Sequence, residues 1–594
     1  MRRRSLLMAM GAAALGSPVL PALAAPALGR ARPGDPGWPD GAAWARLRDA
    51  VGGRLIRPQP IAAACAANTK SAACEALFTD LANPYYIGDQ PAGTQVSGWL
   101  DAWSPGVSAY AVAANGAADV IAAVDFARRH NLRLVIKGGA HSYQGGSNAP
   151  DSLLVWTRAM NDIVVHDSFT PKGGGGPGVA AVSLGAGAMW VDAYHAVTTE
   201  AGRYVQGGGC TTVGVTGLVL GGGFGSFSKR YGTGAASLLE AEIVTSDGRA
   251  RVVNDHLAPD LFWALKGGGQ SAFGVVTRLT LATHELAGQA GACNMRISAK
   301  SDEAFRRLLG VFVDVVADNL INPHWGESVQ LLPANAIEVN MVFQDLTAEQ
   351  AKGAWKPLVD WVGQAGPGVS IEGFQALARP MREWWDFAAD RAAHLPFERY
   401  DTRPGVPAWH AWWAGDSDQV SMFIHGYESL WLPASLLRKS ERARLADALF
   451  AASRHFSVGL HFNKGLAGAP REAVAASRRT ATNPAVLDAF ALAIIATGGF
   501  PDYPGYPSPN LVKAKEDARR IDAATAELRR VAPDGGSYVS ESNYFNADWR
   551  RAYWGSNYPR LAAIKTKYDP AGLFFMHNGV GAEHWSRDGF TRVS

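Results

Sequence analysis

The chain has 594 residues, enough for several domains, and its 47% of apolar and 18% of charged residues exclude a largely disordered protein. Its 56 basic and 53 acidic residues give a net charge of +3, too even a balance to favour nucleic acid or an anionic membrane as a partner. Most of the 19 tryptophans belong in cores, but such a surplus also suits a cleft for flat rings or sugars.

The N-terminus predicts an export signal over residues 1–24. A basic head (MRRR) precedes an apolar stretch that ends in a small-residue cleavage site before Ala25. Glycines and prolines within the stretch make it a poor permanent membrane helix. The pair Arg3-Arg4 resembles a twin-arginine signal, with an ordinary secretory signal as the alternative. The sequence therefore predicts a periplasmic or secreted protein without stable membrane insertion.

Residues 25–104 form an extension rich in proline, glycine and alanine, which predicts partly irregular structure. Two of the four cysteines, Cys65 and Cys74, lie in this extension. In an oxidising compartment they can close a small loop through a disulfide, and two unpaired thiols in an alanine-rich helix are the alternative. We expect Cys293 to be a buried, structural thiol.

Residues 105–286 predict an α+β domain. The stretch DVIAAVDFARRH has the apolar spacing of an amphipathic helix, and LRLVIK after it is typical of a strand. LLVWT, IVVHD and AAVSLGAG indicate further strands, and MWVDAYHAVTTE indicates a helix. EAEIVTSDG and DLFWALKGGGQSAFGVVTRLTLAT then predict a strand, a helix and a strand. This alternation favours a mixed α+β fold.

Residues 287–535 predict a second, substrate-binding domain. Strand-like stretches such as QVSMFIHGYESLWL alternate there with long helical ones such as LVKAKEDARRIDAATAELRRVA. The pattern predicts an antiparallel sheet backed by helices. Residues 536–594 form a last segment that contains YWGSNYPRLAAIKTKYDPAGLFF.

The first glycine motif, KGGAHSYQGG, begins at Lys137 directly after a predicted strand. Glycines tolerate positive φ and let backbone N–H groups approach a ligand closely. A row of such N–H groups forms an anion nest suited to a pyrophosphate, and Lys137 adds a positive charge. The motif also presents a nucleophile, the imidazole of His141. A histidine that only satisfies its own loop is the alternative.

The second glycine motif, GGGCTTVGVTGLVLGGGFG, carries Cys210. A buried cysteine is normally an inert, small apolar side chain, which is the alternative here. A metal site is not supported, because no CxxC or HxxxH pair lies nearby. A dinucleotide-binding turn at GGGFG has weak support, because no clear strand–turn–helix unit surrounds it.

Together the two motifs resemble the berberine bridge enzyme-like branch of the vanillyl-alcohol-oxidase flavoprotein superfamily. The resemblance implies a PCMH-type FAD-binding domain, with FAD bound covalently through His141 and Cys210. YWGSNYPRLAAIKTKYDPAGLFF is similar to the family's C-terminal signature, which packs back against the flavin domain there. The family usually has arginine in place of Lys137 and glycine in place of Ala140, and we expect the alanine to tighten the turn.

The resemblance implies a wider set of cofactor-binding residues and no metal ligands. The set is Lys137, Gly138, Gly139, Ala140, His141, Ser142, Gly146, Gly209, Cys210, Val213, Gly214, Gly217, Gly223, Val276 and Asn578. Asn578 is expected to hydrogen-bond the flavin ring. At the position of Val213, small or β-branched residues accompany oxidases of the family and bulkier ones accompany dehydrogenases. Val213 therefore predicts an oxidase, and a residue that only packs is the alternative.

The reaction also needs a group that accepts the proton of the substrate hydroxyl. Relatives that oxidise sugars or cannabinoid precursors carry a tyrosine base in a YxNY segment before the C-terminal signature. The corresponding segment here is ESNY, so Glu541 is the predicted base and Tyr544 the next candidate. A solvated surface glutamate is the alternative, and Tyr427 and Glu428 are weaker candidates.

The sequence thus predicts an exported FAD-dependent oxidase. Its substrate is expected to be a small organic alcohol, either an aromatic alcohol or a sugar, with dioxygen as acceptor and hydrogen peroxide as product. One alternative is a periplasmic FAD-linked dehydrogenase with another electron acceptor. The other is a flavin-bearing binding protein without turnover. No motif in residues 287–535 identifies the substrate.

Overall fold

The computed structural model describes residues 29–104, 106–503 and 507–593. The export signal predicted over residues 1–24 lies outside the described residues. The described chain forms a mixed α+β fold, as predicted, and its strands form three main sheets. The exact segment boundaries given above stay predictions.

Three of the four strands of the first sheet lie in the segment predicted to bind the cofactor. Three parallel strands lie in the order Tyr110–Ala113, Ser152–Trp156 and Arg133–Lys137, and the antiparallel strand Leu55–Ile56 flanks the first of them. Parallel strands need a crossover, which helix Ala117–Arg129 provides with its amphipathic pattern of buried residues. The first glycine motif therefore begins at the carboxyl end of a parallel strand.

The second sheet is antiparallel and has six strands. They are Ile163–Phe169, Val179–Gly185, Arg203–Val205, Leu238–Val244, Ala250–Asn254 and Val275–Glu285. Short helices accompany them: Trp190–Tyr194, the π-helix His195–Glu200, Val215–Leu220, Ser228–Tyr231 and Pro259–Leu265. The second glycine motif continues into one of these helices, so part of it is helical rather than loop.

The third sheet has eight strands and forms the second domain. Its antiparallel strands are Gln289–Ala299, Trp325–Leu332, Ala336–Gln344, Val369–Pro380, Met422–Pro433, Val458–His461 and Ala489–Gly499. The helices of this region are Asp302–Val315, the π-helix Val316–Leu320, Ala348–Gln364, Phe387–Asp390, Arg442–His455, Arg471–Arg478 and Leu511–Arg529. The predicted antiparallel sheet backed by helices is confirmed. Strands Glu398–Tyr400 and Ala411–Trp413 form a separate pair.

Helix Asp302–Val315 shows how the sequence determines the packing of a helix on the third sheet. Ser301 caps helix Asp302–Val315, because its hydroxyl accepts the N–H of Ala304 over 3.2 Å. The helix buries Phe305, Leu308, Leu309 and Phe312, which recur at helical spacing on one face. Burying each such side chain is worth about 1.5–3 kcal/mol, so the amphipathic face fixes the helix to the sheet.

The N-terminal extension is more regular than predicted. It contains helices Gly41–Ala50, Ala72–Asp80 and Pro84–Gly88. Cys65 and Cys74 form a disulfide, which confirms the favoured pairing, and Cys293 is a buried free thiol, as expected. The last strand of the extension, Val96–Trp99, pairs in parallel with Met422–Pro433 and becomes the eighth strand of the third sheet.

The C-terminal segment returns to the first domain, as predicted. Its helices are Trp549–Trp554 and Tyr558–Tyr568, and Phe574 forms a bridge to Leu134 in the first sheet. The buried Nζ of Lys565 donates to the carbonyl oxygens of Ala272 and Phe574, each over 2.6 Å. These contacts hold the end of the chain against the domain that carries both glycine motifs.

Candidate active site

A cavity of about 1220 Å³ lies where the two glycine motifs face the third sheet. We call residues 138–146 the histidine loop and residues 207–214 the cysteine loop. His141 and Cys210 both line the cavity. The two nucleophiles singled out by the sequence therefore face the same space.

The histidine loop turns sharply at Ala140, whose φ is +66°. This backbone region favours glycine, so the alanine holds a strained conformation. That the alanine tightens the turn stays a prediction. The N–H of Gln95 donates to the carbonyl oxygen of Ala140 over 3.0 Å and fixes the turn. The Nε2 of the following His141 lies 3.0 Å from Oγ1 of Thr212 in the cysteine loop.

The two loops touch backbone to backbone. A Cβ atom added at Gly139 would lie 2.6 Å from the amide nitrogen of Gly214 and 2.9 Å from the carbonyl oxygen of Thr212. A Cβ atom at Gly214 would lie 2.8 Å from the nitrogen of Gly139. Real Cβ atoms do not come this close to backbone. Glycine at both positions is therefore what allows the loops to meet.

The surroundings of the two nucleophiles set their protonation. Burial lowers the pKa of the His141 imidazole to about 4, so the ring is neutral near pH 7 and keeps a nucleophilic lone pair. Burial raises the pKa of the Cys210 thiol well above its ordinary value, and the neighbouring Asp416 carboxylate adds to the shift. The thiol is therefore protonated, and a protonated thiol is a weak nucleophile.

Most of the predicted site residues line this cavity. They are Lys137, Gly138, Gly139, Ala140, His141, Ser142, Gly146, Gly209, Cys210, Val213, Gly214, Gly217, Val276 and Glu541. Residues from both glycine motifs, the second sheet and the C-terminal segment thus meet in one place.

Tyr544, Gly223 and Asn578 are absent from the described lining. The ring of Tyr544 stacks on His577, with 3.7 Å between ring centroids, and belongs to a separate buried apolar cluster. The Nδ2 of Asn578 donates to the backbone carbonyl of Tyr544 over 2.9 Å. Gly223 has a φ of +75° in a turn behind the cysteine loop. The predicted role of these three residues toward the ligand stays a prediction.

The ammonium group of Lys137 also differs from prediction. Its Nζ donates to the carbonyl oxygens of Gln90, Pro91 and Gly93, over 2.5, 2.8 and 3.2 Å. Burial lowers the pKa of this lysine to about 7. The charge therefore does not reach the anion nest predicted for the glycine motif. It fastens the N-terminal extension to the first sheet.

Glu541 lies on the cavity wall, where its carboxylate forms an ion pair with Nζ of Lys464. Tyr427 and Tyr143 line the same cavity, with 5.3 Å between their ring centroids. Burial raises the pKa of both phenols well above the ordinary value, so both are neutral hydrogen-bond donors. This part of the wall thus presents the carboxylate of Glu541, the ammonium group of Lys464 and the phenols of Tyr143 and Tyr427 to a bound molecule.

Sequence reasoning missed four charged residues of the cavity: Asp416, Glu327, Lys464 and Arg379. Glu327 has a φ of +62° within strand Trp325–Leu332, and its carboxylate accepts the hydroxyl of Ser226. Burial raises the pKa of Glu327 as well. These residues lie in the second domain. A single charged side chain there belongs to no motif with a recognisable spacing, so the sequence does not identify it as part of a site.

Aromatic side chains form another part of the wall. They are Phe224, Trp384, Trp385, Phe397, Trp412 and Trp413. The indole N–H of Trp413 donates to the carbonyl oxygen of Gly209 over 3.1 Å, which joins the aromatic wall to the cysteine loop. Part of the tryptophan surplus therefore does line a cleft.

Two segments of the chain match known families. Residues 108–254 match an FAD binding domain, and residues 526–581 match the berberine and berberine-like family. The first match contains His141 and Cys210, and the second contains Glu541. The two matched segments contain all of the predicted site residues except Val276.

The VAO-type flavoprotein oxidase VAO615 of Thermothelomyces thermophilus is 27% identical to this chain over 95% of each protein. The crystal structure of the VAO-type flavoprotein MtVAO615 from Myceliophthora thermophila superposes with a TM-score of 0.76 at 26% identity, covering 94% of this chain and 98% of that one. The chain belongs to the VAO-type, berberine bridge enzyme-like family. It is an FAD-linked oxidoreductase. Glucooligosaccharide oxidase from Acremonium strictum shares the fold at 19% identity, with a TM-score of 0.62 over 81% of this chain and 94% of that one.

The cavity residues fit the family's cofactor, FAD. At the glycines of both loops, backbone without side chains forms part of the cavity wall. A large ligand can therefore approach this backbone closely. Two buried acceptors on the wall, Oδ2 of Asp416 and Oδ1 of Asn463, have no hydrogen-bond partner within the described parts of the chain. Buried polar atoms are normally satisfied, so these two are suited to donors of a bound molecule.

Two further findings concern the described residues alone. None of their helices is long and apolar enough to cross a membrane. No group of histidine, cysteine, aspartate and glutamate side chains among them is arranged to hold a metal ion.

The contact between the loops predicts a selective effect of one methyl group. Gly139→Ala should lose most of the bound FAD, because its Cβ must push the loops apart, and overpacking costs about 1–3 kcal/mol. Gly116→Ala is the matched control, since its Cβ would meet nothing within 4 Å and the residue does not line the cavity. The ratio of flavin to protein absorbance in the purified variants measures the effect. Equal flavin content in both variants would contradict the role assigned to the contact.

Proposed function

We propose that this FAD-linked oxidoreductase carries FAD bound through both His141 and Cys210 and oxidises an alcohol group of a small organic substrate. Dioxygen is the proposed acceptor and hydrogen peroxide the second product. The observation that carries the proposal is the arrangement of the two loops, which presents both nucleophiles to one cavity. Bound FAD would supply the acceptor for a hydride from the substrate carbon and pass its two electrons on.

The covalent attachment has support from chemistry and from a relative of the same fold. A neutral imidazole, as burial makes His141, is the nucleophilic form. The FAD of the glucooligosaccharide oxidase from Acremonium strictum is a 6-S-cysteinyl, 8α-N1-histidyl FAD. Because Nε2 of His141 is engaged with Thr212, Nδ1 is the ring nitrogen proposed to form the bond in this chain.

Acid precipitation tests the double attachment. Flavin should remain with the precipitated native protein, and also with His141→Ala and Cys210→Ala, because each single variant keeps one link. The double variant should release its flavin into the supernatant and serves as the control. Release of all colour from the native protein would contradict covalent attachment, and release from one single variant would mean that only one link exists.

The proposed proton acceptor is Glu541. Its carboxylate is the one on the cavity wall that comes from the C-terminal segment, at the position where relatives hold a tyrosine base. The ion pair with Lys464 holds the carboxylate in a fixed place on the wall. Tyr143 and Tyr427, whose buried phenols stay protonated, are proposed to donate hydrogen bonds that orient the substrate.

Replacement of Glu541 by glutamine should slow substrate-driven flavin reduction by about 10²–10⁴-fold, the usual contribution of a general base. Flavin content should not change, because neither proposed link involves this side chain. Stopped-flow reduction without oxygen gives the rate. Glu428→Gln is the control. The carboxylate of Glu428 accepts a hydrogen bond from Nδ2 of Asn543 over 2.7 Å, and this residue does not line the cavity. Near-normal reduction in Glu541→Gln would transfer the role to Tyr427.

An alcohol borne by an aromatic compound or a sugar remains the proposed substrate class. The tryptophan side chains of the cavity wall support it, because flat rings and sugar faces both pack on indole rings. Bleaching of the flavin by a panel of alcohols, sugars and phenolic compounds tests this class. A flavin that no member of such a panel bleaches would favour the binding protein without turnover.

Val213 supports dioxygen as acceptor. It lines the cavity, and its backbone is fixed by the N–H of Trp190, which donates to its carbonyl oxygen over 3.1 Å. Val213→Leu adds a methylene at this fixed position, so reoxidation of the reduced flavin by air should slow severalfold while its reduction by substrate changes little. Val213→Ala, the control, should reoxidise at least as fast as the native protein. Slow reoxidation of the native protein itself would make a dehydrogenase with another acceptor the better assignment.

Export to the periplasm or the medium is also proposed, on the basis of residues 1–24 alone. A twin-arginine route fits a protein that must receive FAD before it leaves the cytosol. Replacement of Arg3 and Arg4 by lysine should then leave flavin-loaded protein in the cytosol, as fractionation and flavin fluorescence would detect. Unchanged export would indicate the general secretory route.

A further inference from the structure

The segment 411–419 brings a carboxylate to the thiol of Cys210. Strand Ala411–Trp413 is followed by a 3-10 helix, and the indole of Trp413 donates to the carbonyl oxygen of Gly209, the residue before the cysteine. Asp416, within this 3-10 helix, lines the same cavity as Cys210. The segment is thus anchored at the base of the cysteine loop, with its carboxylate beside the sulfur.

Asp416 is poised to take up a proton. Its Oδ2 is buried and has no hydrogen-bond partner within the described residues. Burial raises the pKa of this carboxyl to about 6, and the nearby Glu327 adds to the shift. Near pH 7 the group is therefore mostly ionised, yet it is a stronger proton acceptor than an exposed aspartate.

Cys210, in contrast, must lose a proton for its sulfur to react. The thiolate is the nucleophilic form, but the cavity keeps Cys210 protonated. A base that removes the proton while the new bond forms solves this problem without a free thiolate. Such a base must lie within reach of the thiol, and Asp416 lines the same cavity as Cys210 on a segment fastened to the residue before the cysteine.

We propose that Asp416 is the general base that forms the link between Cys210 and FAD, an inference that rests on the double attachment proposed above. The S–H bond of Cys210 breaks, an S–C6 bond to the flavin forms, and the proton passes to Asp416. The hydrogen on C6 leaves as a second proton, and the flavin retains two electrons. Dioxygen takes these electrons and becomes hydrogen peroxide, which leaves the linked flavin oxidised.

The other groups around Cys210 are less suited to this role. Glu327 is engaged by the hydroxyl of Ser226, and Glu541 is paired with Lys464. Lys464 is a cation that favours loss of the thiol proton but does not accept it. Burial raises the pKa of every tyrosine that faces the thiol, which leaves each phenol neutral; these are Tyr143, Tyr194 and Tyr427.

Alkylation of the denatured protein followed by peptide mass analysis tests the proposal. In native protein purified in air, Cys210 should carry flavin and resist iodoacetamide. Asp416→Asn keeps the shape but not the basicity, so it should keep flavin on His141 while most Cys210 thiols become alkylated. Asp416→Glu and Glu327→Gln should both retain the cysteinyl link. Cys293, a free thiol in the fold, should be alkylated in every sample and serves as an internal control.

The pH dependence of the slow reaction separates a base from a structural support. When purified Asp416→Asn protein is kept in air, its Cys210 thiol should disappear about tenfold faster for each unit of pH increase, because the reaction then needs free thiolate. A purely structural role would give a rate without this dependence.

Each other outcome has a definite meaning. Full linkage in Asp416→Asn would overturn the proposal, as would a Glu327→Gln variant that alone loses the link. Loss of all flavin from Asp416→Asn would also overturn it, since the residue would then hold the cofactor rather than move a proton. Alkylation of Cys210 in the native protein would instead refute the cysteinyl link of the proposed function, whatever the variants show.

Discussion

The backbone contact between Gly139 and Gly214 is the constraint on which the active site depends. The histidine loop leaves a parallel strand of the first sheet, and the cysteine loop leads from an antiparallel strand of the second. At this contact the two loops bring their nucleophiles to one wall, and a side chain at either glycine would push the loops apart. The hydrogen bond between His141 and Thr212 then fixes the imidazole relative to the cysteine loop.

Hydrogen bonds from the N-terminal extension and from the C-terminal segment support that contact. Lys137 ties the N-terminal extension to the strand before the histidine loop through three carbonyl oxygens. From the other end, the Nε2 of Gln144 donates to the carbonyl oxygen of Ser542 over 3.0 Å, next to Glu541. The proposed base and the proposed histidyl link are therefore positioned by the same loop, although they lie about 400 residues apart in sequence, since the hydrogen bond itself spans 398 residues.

Sequence reasoning succeeded where the signal is local. Periodicity gave the helices and strands, and the glycine motifs located His141 and Cys210 on one cavity. It failed for Lys137, whose ammonium binds carbonyl groups more than 40 residues earlier, at separations of 44–47 residues. It did not reveal that the ring of Tyr544 stacks on His577 within a separate apolar cluster, because such packing depends on residues that are distant in sequence. Asp416 and Glu327 were missed because lone carboxylates reveal a role only when folding brings them to the thiol.

A crystal structure of the purified, flavin-loaded protein is the most direct test of the central claim that the two loops jointly hold the cofactor. The account predicts an isoalloxazine ring in the described cavity, with electron density continuous to both His141 and Cys210 and the backbones of Gly139 and Gly214 in contact. A ring joined to neither residue, or loops that stand apart around a flavin bound elsewhere, would contradict it.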